Sequence, residues 1–223
     1  MEYHLSQAEE NYLKAIFHIC FQEEKAATTN AIATIVDTTA ASVSDMLKRL
    51  AANQWVHYQS HRGVTLTNEG KKIATMLVRK HRLWEMFLVE VLNFSWDEVH
   101  DLAEQLEHVQ SDELIERLDA FLGRPKFDPH GDPIPDAEGN FAQRLQMPLS
   151  ALRVGEWGVI VGVLEQSAAF LRYLDRMNLG IGAQVEVREI FEFDGSLQVQ
   201  VKGKQLLTIS SKVSENLLAQ KIK

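Results

Sequence analysis

The sequence predicts a mainly α protein with a small β domain, in three successive parts: an N-terminal winged helix-turn-helix, a central helical segment and a C-terminal barrel of short strands. Three observations predict it. Apolar residues recur at helical spacing through most of residues 6–122. Two short β-prone runs around Gly63 follow directly on a pair of short helices joined by a tight break. From Met147 onward the pattern turns to short strands. The expected division is 1–70, 71–145 and 146–223.

Ser6 is placed to cap a first helix whose buried face carries Tyr12, Leu13, Ile16, Phe17 and Ile19. Thr28-Thr29-Asn30 opens a second helix through Ala31, Ile32, Ile35 and Val36, and Asp37-Thr38-Thr39 breaks it. A third helix buries Val43, Met46, Leu47 and Leu50. Trp55–Tyr58 and Val64–Thr67, around a polar tip at Ser60-His61-Arg62-Gly63, form the hairpin of the wing. Residues 68–122 read as nearly continuous helix, interrupted near Asn93–Trp96, where Ser95 and Glu98 match a capping box. Pro125, Pro129, Pro133 and Pro135, with Gly131 and Gly139, make 123–140 an ordered loop or linker. Trp157–Val163, Gln184–Phe193, Leu197–Val201 and Gln205–Ser210 are strand-like, and Ala168–Met177 is helical.

The hydrophobic fraction of 45% and charged fraction of 24% exclude disordered and collagen-like chains. No apolar run approaches the roughly 20 residues of a membrane helix, and the start lacks a signal-peptide pattern. The single cysteine, Cys20, fits a reducing compartment. A cytoplasmic protein without membrane contact is expected. The net charge of −8 is unevenly spread. Residues 1–80 and 151–223 are each net +1, whereas residues 81–150 are net −10 and hold four of the eight histidines. Acidity confined to one third of the chain marks either a solvated helical surface or a cation site.

Two patterns inside the acidic third favour the cation. In His81-Arg82-Leu83-Trp84-Glu85, His and Glu four apart share one helix face. In His100-Asp101-Leu102-Ala103-Glu104-Gln105-Leu106-Glu107-His108, the residues His100, Glu104, Glu107 and His108 fall within an arc of roughly 100°. No Lys or Arg lies between positions 83 and 116 to offset them. One such pair reads best as an exposed polar face with an incidental histidine. Two in the same block favour a divalent metal, because carboxylate and imidazole suit Mn²⁺, Fe²⁺ and Zn²⁺. Asp128-Pro129-His130-Gly131-Asp132 adds a third candidate, although alone it reads as a polar surface loop. The zinc-protease pattern H-E-x-x-H is absent.

Taken together, the winged helix, His81-x-x-x-Glu85, His100-Asp101-x-x-Glu104-x-x-Glu107-His108 and the Pro-His-Gly-Asp-Pro-Ile-Pro loop resemble the metal-dependent repressors of the diphtheria toxin repressor family. The likeness runs over essentially the whole chain and implies a C-terminal SH3-like domain. It also implies a homodimer, joined through the central helices, that binds operator DNA when Fe²⁺ or Mn²⁺ is loaded. One metal site would use Glu104, Glu107, His108 and a residue of the first helix, matched to Asn11. An ancillary site would use His81, Glu85 and His100, with Glu165 or Gln166 from the C-terminal domain. Members with a similar proline-rich loop also draw ligands from positions matching Asp128 and His130. This chain departs from the family at Asn11, where relatives have Met or Asp, and at Lys14, where one manganese-sensing branch has Glu. Glu104 replaces the Cys of iron sensors, which leans the expectation to Mn²⁺ over Fe²⁺, with Zn²⁺ or Co²⁺ binding in vitro. With Asn11 a poor ligand, Asp128 and His130 are expected to complete the site on Glu104, Glu107 and His108.

The third helix is the expected DNA reader. Thr39, Ala41, Ser42, Ser44 and Asp45 are short and let it approach the major groove. Lys48, Arg49 and the wing's Arg62 would meet phosphates. The plainer role for the Ser and Thr is helix capping. The leading function is a metal-responsive repressor of metal-homeostasis genes, neither an enzyme nor a binder of a small-molecule substrate. Its rivals are a carboxylate/histidine metalloenzyme and a metal-independent winged-helix regulator; no candidate nucleophile accompanies the ligands, and an enzyme leaves the winged helix unexplained.

Overall fold

The computed structural model describes residues 5–23, 25–59, 62–204 and 206–222. Ser60 and His61 of the expected wing tip, and Gln205 of an expected strand, lie outside them. The chain forms two compact units, one of residues 1–81, 104–115 and 135–140, the other of 82–103, 116–134 and 141–223.

The first unit begins with α1 (Gln7–Glu23), α2 (Thr29–Ile35) and α3 (Ala40–Ala52), followed by β1 (Val56–Gln59) and β2 (Gly63–Leu66). Ser6 and Glu9 form a capping box at α1: the Glu9 N–H donates to Ser6 Oγ at 3.3 Å, and the Ser6 N–H to Glu9 Oε2 at 2.9 Å. Thr28 caps α2 and Thr39 caps α3 through their side-chain oxygens. Asp37, at φ +48°, makes the tight break between α2 and α3. The β1–β2 pair is antiparallel, and Ala27 extends it by bridging to Val64. Leu13, Ile16, Ile32, Leu47, Leu50 and Leu77 are its fully buried core. Helix-turn-helix followed by a hairpin is a winged helix.

The central helices are shorter than expected. After α4 (Asn68–Glu90) come α5 (His100–Leu106) and α6 (Asp112–Phe121), so a second break falls at 107–111. Ser95 caps no helix. It opens a turn in which the Glu98 N–H donates to the Ser95 carbonyl at 3.0 Å and Ser95 Oγ bonds the Asp97 carboxylate. A short polar side chain satisfied within its own turn competes with helix, and α5 starts at His100.

The second unit contains the β domain, a six-stranded antiparallel sheet in the order β3-β8-β4-β5-β6-β7. Its strands are β3 (Met147–Pro148), β4 (Trp157–Val163), β5 (Gln184–Ile190), β6 (Leu197–Val201), β7 (Leu206–Ile209) and β8 (Leu217–Ile222). The helix α7 (Ala168–Met177) packs Leu171 and Leu174 into the core with Ile160, Val185, Val199 and Leu217. The short β3, helix α8 (Ser211–Asn216) and strand β8 carry no separate sequence expectation; β8 closes against β4. Among the described residues, no helix is long and apolar enough to cross a membrane.

Gly70, in the first turn of α4, tests the packing of the first unit. Its N–H donates to Thr67 Oγ1 at 3.0 Å, and a Cβ there would lie 1.9 Å from the Trp55 carbonyl oxygen. In an open helix Gly→Ala stabilises by about 1 kcal/mol. Here Gly70→Ala is expected to destabilise by about 1–3 kcal/mol in urea unfolding, through overpacking. A stabilised variant would show that the Trp55 carbonyl does not press on this turn.

Candidate metal centre

The proline-rich loop is built to hold two side chains still. Asp128 Oδ1 accepts the backbone N–H groups of His130 and Asp132, both at 2.9 Å, so the carboxylate shapes its own loop. The Val163 N–H of β4 donates to the His130 carbonyl at 3.0 Å, and Arg144 Nη2 to the Gly131 carbonyl at 2.7 Å. Gly131 has φ +90°, and a Cβ would lie 2.1 Å from the Val161 carbonyl oxygen. Only glycine allows that seating.

His130 is the centre of the arrangement. Its Nε2 lies 2.8 Å from the Trp96 carbonyl oxygen, which can only accept, so Nε2 carries a proton. Nδ1 is buried without a hydrogen-bond partner and faces Glu85 Oε2 at 3.6 Å. Glu85 Oε1 lies 3.5 Å from Nδ1 of the exposed His100. Glu85, Asp128 and His130 are all buried, and each offers a ligand atom within 4.8 Å of the others. Trp96 stacks on the imidazole at 5.9 Å. It is held in turn by α7, where Asp175 accepts its Nε1–H at 2.9 Å and Arg172 pairs with neighbouring Asp97 at 2.9 Å. A histidine fixed at one nitrogen and open at the other is what a metal ligand with its outer support looks like.

The electrostatics are those of crowded negative charge. Burial raises the Asp128 pKa, and Glu85 and Asp132 raise it further, to about 7, against Arg82 and His130. Burial works to lower the His130 pKa, but Glu85, with Asp128 behind it, outweighs burial and pushes it up to about 9. Arg82 offsets part of the charge, with Nε 3.4 Å from Asp128 Oδ2 and Nη2 3.2 Å from Asp132 Oδ2. The donor set of two hard carboxylates and one imidazole, with an orphaned buried nitrogen, fits a divalent cation.

Glu104, Glu107 and His108 lie in the first unit, and their partners differ from expectation. His108 Nδ1 meets Glu10 Oε2 at 2.5 Å, and Gln110 Nε2 donates to Glu10 Oε1 at 2.8 Å. His81 Nδ1 lies 2.6 Å from Glu107 Oε2. Lys14 Nζ lies 2.7 and 2.8 Å from the two oxygens of Glu107 and 3.4 Å from Glu104 Oε1. Burial works to raise the Glu107 pKa, yet His81 and Lys14 together hold it below its ordinary value.

Three expectations need correction. Asn11 is exposed on α1, and the first-helix residue facing His108 is Glu10. One residue is about 100° of helix, enough to move a side chain from inside to outside. Asp128 and His130 were expected with Glu104, Glu107 and His108; their neighbours are Glu85, Arg82 and Trp96, because the loop is seated on β4. Glu165 turns to the Ser167 N–H at the start of α7, at 2.9 Å, while Gln166 Nε2 reaches Asp132 Oδ2 at 3.2 Å. Trp96 was missed as a support, since a main-chain carbonyl leaves no residue-type signal. His81 lies one turn before Glu85 on α4.

On the expected DNA-reading helix, Thr39, Ala41 and Ser42 are exposed and Ser44 is half-buried, with its Oγ donating to the Ala40 carbonyl at 2.9 Å. Lys48 pairs with Asp45 at 2.9 Å and Arg49 with Glu9 at 3.1 Å. Arg62 is exposed in the wing.

Comparison with known proteins matches three family descriptions in order. Residues 4–64 match the iron dependent repressor N-terminal DNA binding domain, 67–136 its metal binding and dimerisation domain, and 147–221 the FeoA domain. The chain is 35% identical over 127 residues to the iron-dependent repressor IdeR of Mycobacterium tuberculosis, covering 56% of this chain and 54% of that protein. The match thus spans about half the length of that relative. It is 32% identical over 122 residues to an uncharacterised helix-turn-helix transcriptional regulator of Methanocaldococcus jannaschii, 55% of this chain and 98% of that one. A solved manganese-dependent transcriptional repressor in complex with manganese superposes with a TM-score of 0.82 at 33% identity, covering 96% of this chain and 100% of the other.

The pairing of Glu85 with His130 is testable in metal-free protein. Glu85→Gln removes the charge and leaves the burial, so the His130 pKa is expected to fall from about 9 to below the ordinary 6.5. A chemical-shift titration of the imidazole reads it. A pKa that stays near 9 would mean that Glu85 does not hold the proton.

Proposed function

Because the chain belongs to the diphtheria toxin repressor family of metal-dependent repressors, we propose that it is a cytoplasmic, homodimeric repressor that binds operator DNA when loaded with a divalent metal and so controls metal-homeostasis genes. The observation that carries the reading is His130, whose unpartnered buried Nδ1 faces buried Glu85 beside Asp128, in a chain that also has a winged helix. Glu85, Asp128 and His130 are the core ligands, with His81 one turn earlier on α4 and His100 on the exposed side of Glu85. Carboxylate and imidazole donors without thiolate favour Mn²⁺ over Fe²⁺; Cys20 sits on α1 with its thiol 3.8 Å from the Val64 carbonyl.

The protein's own residues divide the work. Trp96 and α7 orient the imidazole, Gly131 lets the loop lie against β4, and Asp128 shapes the loop while presenting its second oxygen. The bound ion supplies two positive charges to a segment of net −10, which otherwise repels phosphates. On the DNA side, Thr39, Ala41, Ser42 and Ser44 read base edges, and Lys48, Arg49 and Arg62 exchange their protein carboxylates or solvent for phosphates. Contacts to the backbone set register and make binding salt-dependent.

Fluorescence anisotropy on DNA from upstream of the protein's own gene tests this reading. Glu85→Gln and His130→Ala are each expected to weaken Mn²⁺-dependent binding by about 10–100-fold, the usual scale for a lost ligand or its support. Ser42→Glu with Ser44→Glu is expected to abolish DNA binding and leave Mn²⁺ uptake intact. Undiminished, metal-independent binding by the Glu85 and His130 variants would favour a regulator that uses no metal.

A further inference from the structure

The two acidic clusters of this chain are compensated in different ways. In the second unit, the buried Nδ1 of His130 is left open toward Glu85. In the first unit, positive charge is already in place. Lys14 and Glu10 are four residues apart on α1 and so share a face, and both reach residues 104–110. The Lys14 ammonium chelates Glu107 through both carboxylate oxygens, at 2.7 and 2.8 Å, and touches Glu104 at 3.4 Å. The Glu107 side chain is only 1% exposed and Lys14 only 20%, so the pair is largely withdrawn from water. His81 takes the remaining face of Glu107 Oε2 at 2.6 Å, and Glu10 takes His108. Among the described residues, the groups able to bring three ligand atoms within 4.8 Å of one another all contain Glu85; none contains Glu104, Glu107 or His108.

We infer that Lys14 is a tethered cation that takes the place of a divalent ion at Glu104 and Glu107, so that the cluster in the first unit is neutralised by the chain itself and binds no metal. A divalent ion at Glu107 would have to sit beside the ammonium or expel it. The first sets a single and a double positive charge a few ångströms apart. The second strips a buried carboxylate of a two-point ion pair and returns Lys14 to water, losing its geometry. Lysine suits the role as a compact point charge with three donors on a flexible stem, enough to serve both oxygens of Glu107 and one of Glu104. The metal count per chain is then set by the residue at position 14. This inference rests on the metal-binding reading of Glu85, Asp128 and His130, and its test is made where that site has been removed.

The experiment counts Mn²⁺ bound to the full chain by electron paramagnetic resonance titration in four variants. Glu85→Gln alone is expected to bind no ion. Adding Lys14→Met, which keeps the stem and removes the charge, is expected to create one site per chain, lost again on adding Glu107→Gln. Adding Lys14→Arg instead, which keeps the charge, is expected to create none. In metal-free protein, Lys14→Met alone is expected to lower the thermal midpoint by roughly 6–12 °C, from breaking a buried pair, and Mn²⁺ is expected to restore it. Lys14→Gln serves as the neutral variant if Lys14→Met does not fold. An ion bound by Glu85→Gln that Glu107→Gln removes would overturn the inference, as would an unchanged count in both neutral variants. A gain in Lys14→Arg equal to that in Lys14→Met would also overturn it, since charge would then not be the determinant. If the Glu85→Gln count equals that of the natural sequence and survives Glu107→Gln, the Glu85 assignment fails, and the comparison of Lys14→Met with Lys14→Arg still decides the role of Lys14.

Discussion

A buried carboxylate must find positive charge or give up its own, and this chain buries several within one strongly acidic stretch. That constraint organises both clusters. Glu107 is served by Lys14 and His81, which hold it ionised despite burial. Asp128 shares Arg82 with Asp132, and Glu85 faces the imidazoles of His130 and His100, the first of which it holds protonated. The first arrangement is complete with protein groups alone. The second relies on a proton on His130, which a metal ion would replace on the proposed reading. The same physics thus leaves Glu107 paired with protein groups and His130 Nδ1 without a hydrogen-bond partner.

The architecture serves the responsive cluster. In the second unit, the six-stranded sheet does more than form a core, because β4 fixes the His130 carbonyl and leaves space only for glycine at position 131. Its helix α7 fixes Trp96, and the Trp96 carbonyl fixes the imidazole. Two independent routes therefore fix His130, one from β4 to its backbone and one from α7 through Trp96 to its ring. Such support makes a ligand precise at little ordering cost on binding. In the first unit, one capping box and two Thr caps hold the helices of the winged helix, and Thr39 and Ser42 at the start of α3 stay exposed.

Much of the fold was legible in the sequence because periodicity reports burial directly. The wing and its helices, β4 and α7 follow from apolar spacing together with the cap and turn residues between them. The break at 107–111 was not legible, since the acidic stripe keeps helical spacing through it. Family resemblance pointed to the central residues of both clusters but placed the first-helix member one position away. The exposed Asn11 and buried Glu10 are adjacent acid-amide neighbours that no local pattern separates. Glu9-Glu10 next to a hydrophobic run is ambiguous until the capping box claims Glu9 and leaves Glu10 to face inward. The partnership of Lys14 with Glu107, 93 positions apart, carries no sequence signal beyond the missing acid at position 14. The Trp96 carbonyl has none at all.

On the proposed reading the two clusters divide labour, one open to metal and the other closed by lysine. Anomalous diffraction at the manganese edge from crystals of the full chain grown with Mn²⁺ measures this most directly. The expected result is a peak bonded to His130 Nδ1 with Glu85 and Asp128 around it, and Lys14 still seated on Glu107 with no peak beside it. A peak coordinated by Glu104, Glu107 and His108, with Lys14 swung away, would contradict it.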